Sequence, residues 1–317
     1  MRYRGPTTAQ ATIPKEGLRV VTDLIQYLFN GLVAGSIFAI AAVGISLLYS
    51  VLRLVNFAAG DFLTLGAFIT YFFSVTLELN FVLSIIISMI AGMAICWFLE
   101  LVLWRHLRRN KAGTLALFLV ATGVALMLRT IIQYVFGTEP RNFNVDILKT
   151  YDFFGARIAQ TQLVVLIFAT ISILAIAVFM AKARIGKDMR AYANNPALAS
   201  VSGINVDRVV MATWLISGAL GSLAGVFQGL VQGKFNNAMG ETLLLSFFAA
   251  VVLGTIGDAY GALIGGLLLG IFMELSQMEI FFGGVPSNYK PVVAFAALVL
   301  VLLFKPEGIF GYRSRKV

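Results

Sequence analysis

Charge is distributed along this chain in blocks. Lys, Arg, Asp and Glu are sparse in nine apolar stretches and crowd into the segments between them. The stretches run near 24–50, 61–77, 81–103, 115–136, 162–181, 209–231, 243–256, 260–278 and 290–304. Most have the length, roughly 17 to 25 residues, that a helix needs to cross a hydrocarbon core of about 30 Å. Only 12% of the 317 residues are charged and 59% are hydrophobic, whereas a soluble domain is about a quarter charged. A membrane β-barrel would alternate apolar and polar residues over segments of about ten, and no such alternation is present. The expected fold is all-α: a polytopic helical membrane protein with about 8–9 transmembrane segments.

The net charge of +9 would suggest nucleic acid in a soluble protein. Here it follows from Lys and Arg collecting in cytoplasmic loops, so the clusters at 105–111, 182–190 and 305–316 are expected on the cytoplasmic side. Two spans separate the first cluster from the second and four separate the second from the third, so the assignment is self-consistent. The loop 137–161 then lies outside, and its mixture of acids and bases suits that side. Three spans before Arg105 put the N-terminus outside, although Arg2, Arg4, Lys15 and Arg19 argue for inside. The run 24–50 fits either one tilted span or an interfacial helix followed by a span. Its late start and length do not fit the apolar core of a secretory signal. Residues 1–20 are expected to form a mobile arm, 21–311 a single transmembrane domain, and 312–317 a basic cytoplasmic tail. The single cysteine, Cys96, excludes a disulfide framework, and the single histidine, His106, sits among arginines as a loop residue.

Two stretches read as broken helices. In "SVLRLVNFAAGDFLTLGAF", residues 50–68, Asn56, Gly60 and Asp61 interrupt apolar sequence. In "VVLGTIGDAYGALIGGLLLG", residues 251–270, the interruption is centred on Gly257 and Asp258. Irregular backbone at membrane depth survives only where protein or a water-filled cavity satisfies it, and such interruptions in both halves of a transporter point to its path. These five residues are therefore candidates for the translocation path. The second stretch also fits a tight hairpin, with Gly261, Gly265 and Gly266 allowing close helix packing.

Motifs for chemistry are missing. The phosphate-cradling pattern G-x-x-x-x-G-K-[S/T] does not occur, since Gly186-Lys187 is followed by Asp and Gly233-Lys234 by Phe. One histidine and one cysteine cannot supply a metal cluster, and no nucleophile motif is present. No catalytic residue and no metal ligand is expected. Ionisable residues inside spans each cost about 2.5–3.5 kcal/mol at a helix centre, and four stand out: Asp61, Glu100, Arg129 and Glu274. Glu100 suits a local ion pair with the basic cluster that follows it. Arg129 and Glu274, deeper and opposite in sign, could pair between helices. Asp61, after Gly60 at a helix start, fits capping or pore lining equally. A mid-span acidic relay of the kind ion coupling uses is not evident.

The segment "RIGKDMRAYANNPALASVSGINVDRV", residues 184–209, is too polar for lipid and too long for a tight turn. It reads as two short helices, Asn195 capping the second, Pro196 at its first position and Gly203 closing it. A helix rich in small residues lying across the membrane surface fits docking into a partner's groove, or an ordinary solvated loop.

Here the chain resembles the permease subunits of bacterial ABC importers, in particular the branched-chain amino acid permease family. "RAYANNPALASVSGINVDRV" is similar to that family's cytoplasmic loop, and "NGLVAGSIFAIAAVGISLLYS", "NFAAGD", "GDAYGALIGG" and "FKPEGIFG" match further stretches in order. The Glu-Ala-Ala loop motif of other importers is met only loosely, by Tyr192-Ala193-Asn194. The resemblance implies an ABC importer permease fold in a bacterial inner membrane with the C-terminus cytoplasmic. It implies a coupling loop at 184–209, with Arg190, Asn195, Pro196, Ala199, Gly203, Ile204 and Asn205 as contact candidates. It also implies one half of a pore built with a second related permease. Two ATPase subunits carrying ATP and Mg, and an exterior substrate-binding protein, would complete the assembly. The cargo implied is a neutral or branched-chain amino acid. The alternatives are urea or short amides, or an ion-coupled carrier acting alone.

Overall fold

A computed structural model describes residues 15–145, 149–153, 156–279, 283–305 and 307–311. The tail 312–317 lies outside these residues, as does the expected arm up to residue 14; from Lys15 the chain is already helical. The elements are α1 (Lys15–Leu52), α2 (Ala59–Tyr71, continued by a π-helical turn Phe72–Thr76), and α3 (Phe81–Leu99). A second π turn, Glu100–Trp104, carries α3 on into Arg105–Arg109. Next come α4 (Thr114–Phe136), the hairpin β1 (Thr150–Phe153) and β2 (Ala156–Ala159), and α5 (Gln160–Lys182). Two short helices, α6 (Arg184–Asn194) and α7 (Pro196–Val201), precede α8 (Val206–Gln232), α9 (Met239–Gly254), α10 (Ala259–Leu275) and α11 (Lys290–Phe304). Among the described residues seven helices are long and apolar enough to cross a membrane, while α9 and α10 are shorter, at 16 and 17 residues.

The first apolar run forms one continuous helix, which decides between its two readings. Helix α1 is mostly buried, as is α8, whereas α3, α4, α5 and α11 turn Ile, Leu, Val and Phe outward. Lipid tails are as apolar as leucine, so the core is assembled by close packing of small residues. The seam between α1 and α10 shows how: a Cβ on Gly35 would lie 2.7 Å from the Leu267 carbonyl oxygen, and one on Gly270 2.2 Å from the Gly35 backbone.

The described parts of the basic clusters gather at one end of the bundle. Arg105 pairs with Asp207 at 3.4 Å, Arg53 Nη2 donates to the Ala193 carbonyl at 3.2 Å, and the Ile309 N–H donates to the Leu253 carbonyl at 2.9 Å. The opposite end carries the β-hairpin, whose Arg157 N–H donates to Gln26 of α1 at 2.8 Å. Helix α1 therefore begins at that opposite end and finishes at the basic one.

Both expected interruptions are present, in different forms. After α1 the chain leaves helix at Arg53, with φ +52°, and resumes at Ala59. Between α9 and α10 four residues make a tight hairpin, in which Thr255 (φ +131°) and Gly257 (φ +87°) take conformations that favour glycine. Asp258 caps α10 by accepting from the Tyr260 and Gly261 N–H groups, and Gly254 packs directly on Gly261.

Candidate functional site

The start of α2 and the start of α9 meet inside the apolar layer. A Cβ on Gly60 would stand 2.3 Å from the Gly240 carbonyl oxygen, and the Gly240 N–H donates to Thr64 Oγ1 at 2.9 Å. From this contact α2 runs towards Phe136 and Phe235 at the opposite end, and α9 runs towards the hairpin at the basic end. Each helix carries an acid in its first turn, Asp61 and Glu241. Arg129 of α4 reaches both: its Nε and Nη2 donate to the two Asp61 oxygens at 3.1 and 3.4 Å, and its Nη1 donates to Glu241 Oε2. Arg129 stands fifteen residues into α4, about 22 Å along the axis at 1.5 Å per residue. Seven further residues, about 10 Å, separate it from the other end of α4 at Phe136, so the triad lies within the span, nearer that end than the basic one.

Burial grades across the triad. The side chains of Asp61, Arg129 and Glu241 are 1%, 19% and 55% exposed. Glu241 opens onto a face where α4 presents Phe118, Thr122, Arg129 and Gln133, and α9 presents Glu241, Leu245 and Phe248, both at helical spacing. Nearer the basic end this face is crossed by an aromatic cluster: Phe57, from the break, lies 5.0 Å from Phe118 and 5.4 Å from Phe248. Nearer the other end it is polar, with Asn237 Nδ2 donating to Gln133 at 3.4 Å.

The expected ion pair of Arg129 with Glu274 is replaced. Arg129 belongs to Asp61 and Glu241, and Glu274 accepts from Lys290 Nζ and Gln277 Nε2, at 2.5 and 2.7 Å, towards the opposite end. Opposite charges in two apolar runs suggested a match, but the two residues lie on helices that hold them in different places. Asp61 is not a cap either, since the N-cap position of α2 is Ala58. Glu100 does pair locally, with Arg108 at 2.9 and 2.5 Å across the π turn. Asn56, Gly60 and Asp61 come together at the α2 start. Gly257 and Asp258 do not join them: they sit in the basic-end hairpin, beside Ser50 and the Arg190–Asn194 end of α6, around a cavity of about 200 Å³.

Glu241 was not foreseen, yet the sequence carries its signal. The pattern N-x-A-x-G-[D/E] occurs as Asn56, Ala58, Gly60, Asp61 and again as Asn236, Ala238, Gly240, Glu241, each pair 180 residues apart. The structure repeats it down to the hydrogen bonds. Asn56 Oδ1 accepts from the Ala58 N–H at 3.1 Å, and Asn236 Oδ1 from the Ala238 N–H at 3.2 Å. The surrounding helices repeat as well, α3 packing on α8 as α10 packs on α1. Because α2 and α9 run in opposite directions, this is an inverted-topology repeat, and such repeats place transport sites at their shared interface.

At the basic end α6 and α7 form the two helices expected from residues 184–209. Asn195 Oδ1 accepts from the Leu198 N–H at 3.0 Å, Pro196 opens α7, and Gly203 follows it with φ +84°. Ala199 is buried, and its carbonyl accepts from the Ile204 N–H at 3.1 Å, so the turn closes on itself. Asn205 starts α8 by accepting from the Arg208 N–H, and Arg190 reaches the Ala181 carbonyl at 3.4 Å. Leu198 and Val201, by contrast, are 62% and 87% exposed.

A family model described as the permease component of the branched-chain amino acid transport system matches residues 27–302. The chain belongs to that family. It is 33% identical to the high-affinity branched-chain amino acid transport system permease protein LivH of Salmonella typhimurium, covering 90% of this chain and 95% of that one. It is 29% identical to the corresponding BraD protein of Pseudomonas aeruginosa over the same shares, and 26% identical to the ribose import permease protein RbsC of Escherichia coli, over 88% and 85%. Among solved structures, PsaBC from Streptococcus pneumoniae in complex with Fab shares the fold, with a TM-score of 0.50 at 14% identity over 93% of this permease and 96% of that chain.

Proposed function

We propose that this permease is one half of the pore of an ATP-driven ABC importer for neutral or branched-chain amino acids. In this reading the basic end faces the cytoplasm, with the C-terminus there, in keeping with Lys and Arg marking cytoplasmic segments. The observation that carries it is the pair Leu198 and Val201, two large apolar side chains uncovered on a stiff, doubly capped turn at the polar end of the bundle. Two large apolar side chains exposed together on one short helix suit a protein contact, and a motor subunit is the partner that a permease without a phosphate-binding loop needs. Arg53 ties α6 to the break ahead of Asp61, which gives motion at this contact a route to the triad. A half-exposed carboxylate at membrane depth cannot rest against lipid. The α4/α9 face therefore belongs against a second related permease across a wet path. Relatives named for branched-chain amino acids and for ribose align with this chain over most of its length, which supports a pore of broad tolerance whose selectivity lies largely in an exterior binding protein.

The test is purification of the complex in mild detergent from native membranes, with intact chain and with residues 195–203 deleted. The expected result is an ATPase and a second permease with the intact chain, and loss of the ATPase alone on deletion. The double substitution Leu198→Ser/Val201→Ser should do the same with the backbone intact. A chain recovered alone that moves leucine under an ion gradient would overturn the reading.

A further inference from the structure

The Arg129–Glu241 pair is where the α4/α9 face offers both signs of charge to a solute. Among the described residues, the ion pairs outside this triad lie towards one end of the bundle or the other. Three features divide the labour within it. Asp61 is buried and takes Nε and Nη2 of Arg129, which fixes the plane of the guanidinium. Nη1 alone turns to Glu241. Glu241 is the exposed member, so its contact with Nη1 can open without uncovering Asp61.

We propose that this pair opens to admit the head group of an α-amino acid: the ammonium binds the Glu241 carboxylate, and the carboxylate binds Nη1 of Arg129. The proposal rests on the reading that this face lines the path and names the residues that receive the cargo. Charge balance supports it. The two acids and one arginine sum to −1, and the two helix starts that meet here each contribute about half a positive charge. A zwitterion adds no net charge, so every charge keeps a partner when it inserts, and a charged-group hydrogen bond is exchanged for two. A cation or an anion would leave Nη1 or Glu241 unpaired in a medium of low dielectric. The amino acid therefore meets a step at membrane depth that an isolated ion does not.

The experiment uses the assembled transporter with its binding protein in proteoliposomes, and leucine as the probe. In Glu241→Gln the initial rate of leucine uptake should fall about tenfold, the scale of one charge-assisted hydrogen bond. Accumulation of the chain and recovery of its partner subunits should remain as in the parent, and Glu241→Asp should recover much of the rate. In a Cys96→Ala background, Glu241→Cys should react with a water-soluble cationic methanethiosulfonate, and leucine should slow that reaction. Labelling at position 241 together with undiminished uptake by Glu241→Gln would overturn the zwitterion step and leave the path intact. No labelling in the assembled complex would mean that a partner chain seals this face, which overturns both.

Discussion

The two helix starts at Asn56–Asp61 and Asn236–Glu241 share a sequence pattern, a turn and a position beside Arg129, yet they are not equivalent. The first is sealed on every side, with Asn56 and Asp61 each 1% exposed. The second opens on a bundle face, with Glu241 more than half exposed. The pattern is therefore a way of starting a helix inside the apolar layer, which an asparagine turn and a glycine make feasible twice. What surrounds it decides what the acid does. At Asp61 burial makes the carboxylate an anchor for Arg129; at Glu241 exposure leaves it free to exchange partners.

The strongest test of this comparison acts on the contact both starts share. A Cβ on Gly240 would fall 1.8 Å from the Gly60 carbonyl oxygen, which is backbone and cannot swing aside. Gly240→Ala should force α2 and α9 apart and keep the chain from accumulating in the membrane, as read by immunoblot of membrane fractions. Normal accumulation would mean that the two starts are not locked together.

Next in size comes the contrast between the acids. Asp61→Asn leaves Arg129 paired only with the half-exposed Glu241 and removes the buried carboxylate that accepts two of its hydrogen bonds. Hydrogen bonds to charged groups are worth about 1.5–3 kcal/mol each. Glu241→Gln removes a half-exposed partner, which in general is worth about 0–1 kcal/mol. Thermal stability of the purified chain should therefore drop sharply in the first and barely in the second, while leucine uptake falls in both. Equal destabilisation would erase the division between anchor and exchangeable acid.

How much of this was legible beforehand differs between backbone and side chains. The spans, the two interruptions, and the capped turn at Asn195 and Gly203 follow from local rules, because apolar length and cap chemistry act within a few residues. Pairing across the bundle does not. Arg129 finds Asp61 68 positions and Glu241 112 positions away in sequence, and sequence alone supplies charge without depth, so Glu274 looked as suitable as either. Glu241 fell between an apolar run that starts near 243 and the polar pair Asn236-Asn237, which gave it the appearance of a loop residue. The 180-residue repeat corrects that, since the same pattern carries Asp61 in its first copy. Gly257 and Asp258 show an ambiguity of another kind: glycine content marked an interruption that fitted a path or a hairpin, and a hairpin at the basic end needs glycine as much as a path does.

The smallest effect separates the two asparagines. Removing an N-terminal side-chain acceptor costs typically about 1 kcal/mol, and the cost depends on whether water can replace it. At Asn236, which is exposed, water can satisfy the freed Ala238 N–H, so Asn236→Ala should lower stability by about 0.5 kcal/mol, the low end for such a loss. At Asn56 the Ala58 N–H is buried, and a buried donor left without a partner costs about 1–3 kcal/mol. Asn56→Ala should therefore shift the thermal midpoint of the purified chain measurably further than Asn236→Ala. If both shift it equally, water reaches the first start as freely as the second, and Asp61 is no more sheltered an anchor than Glu241.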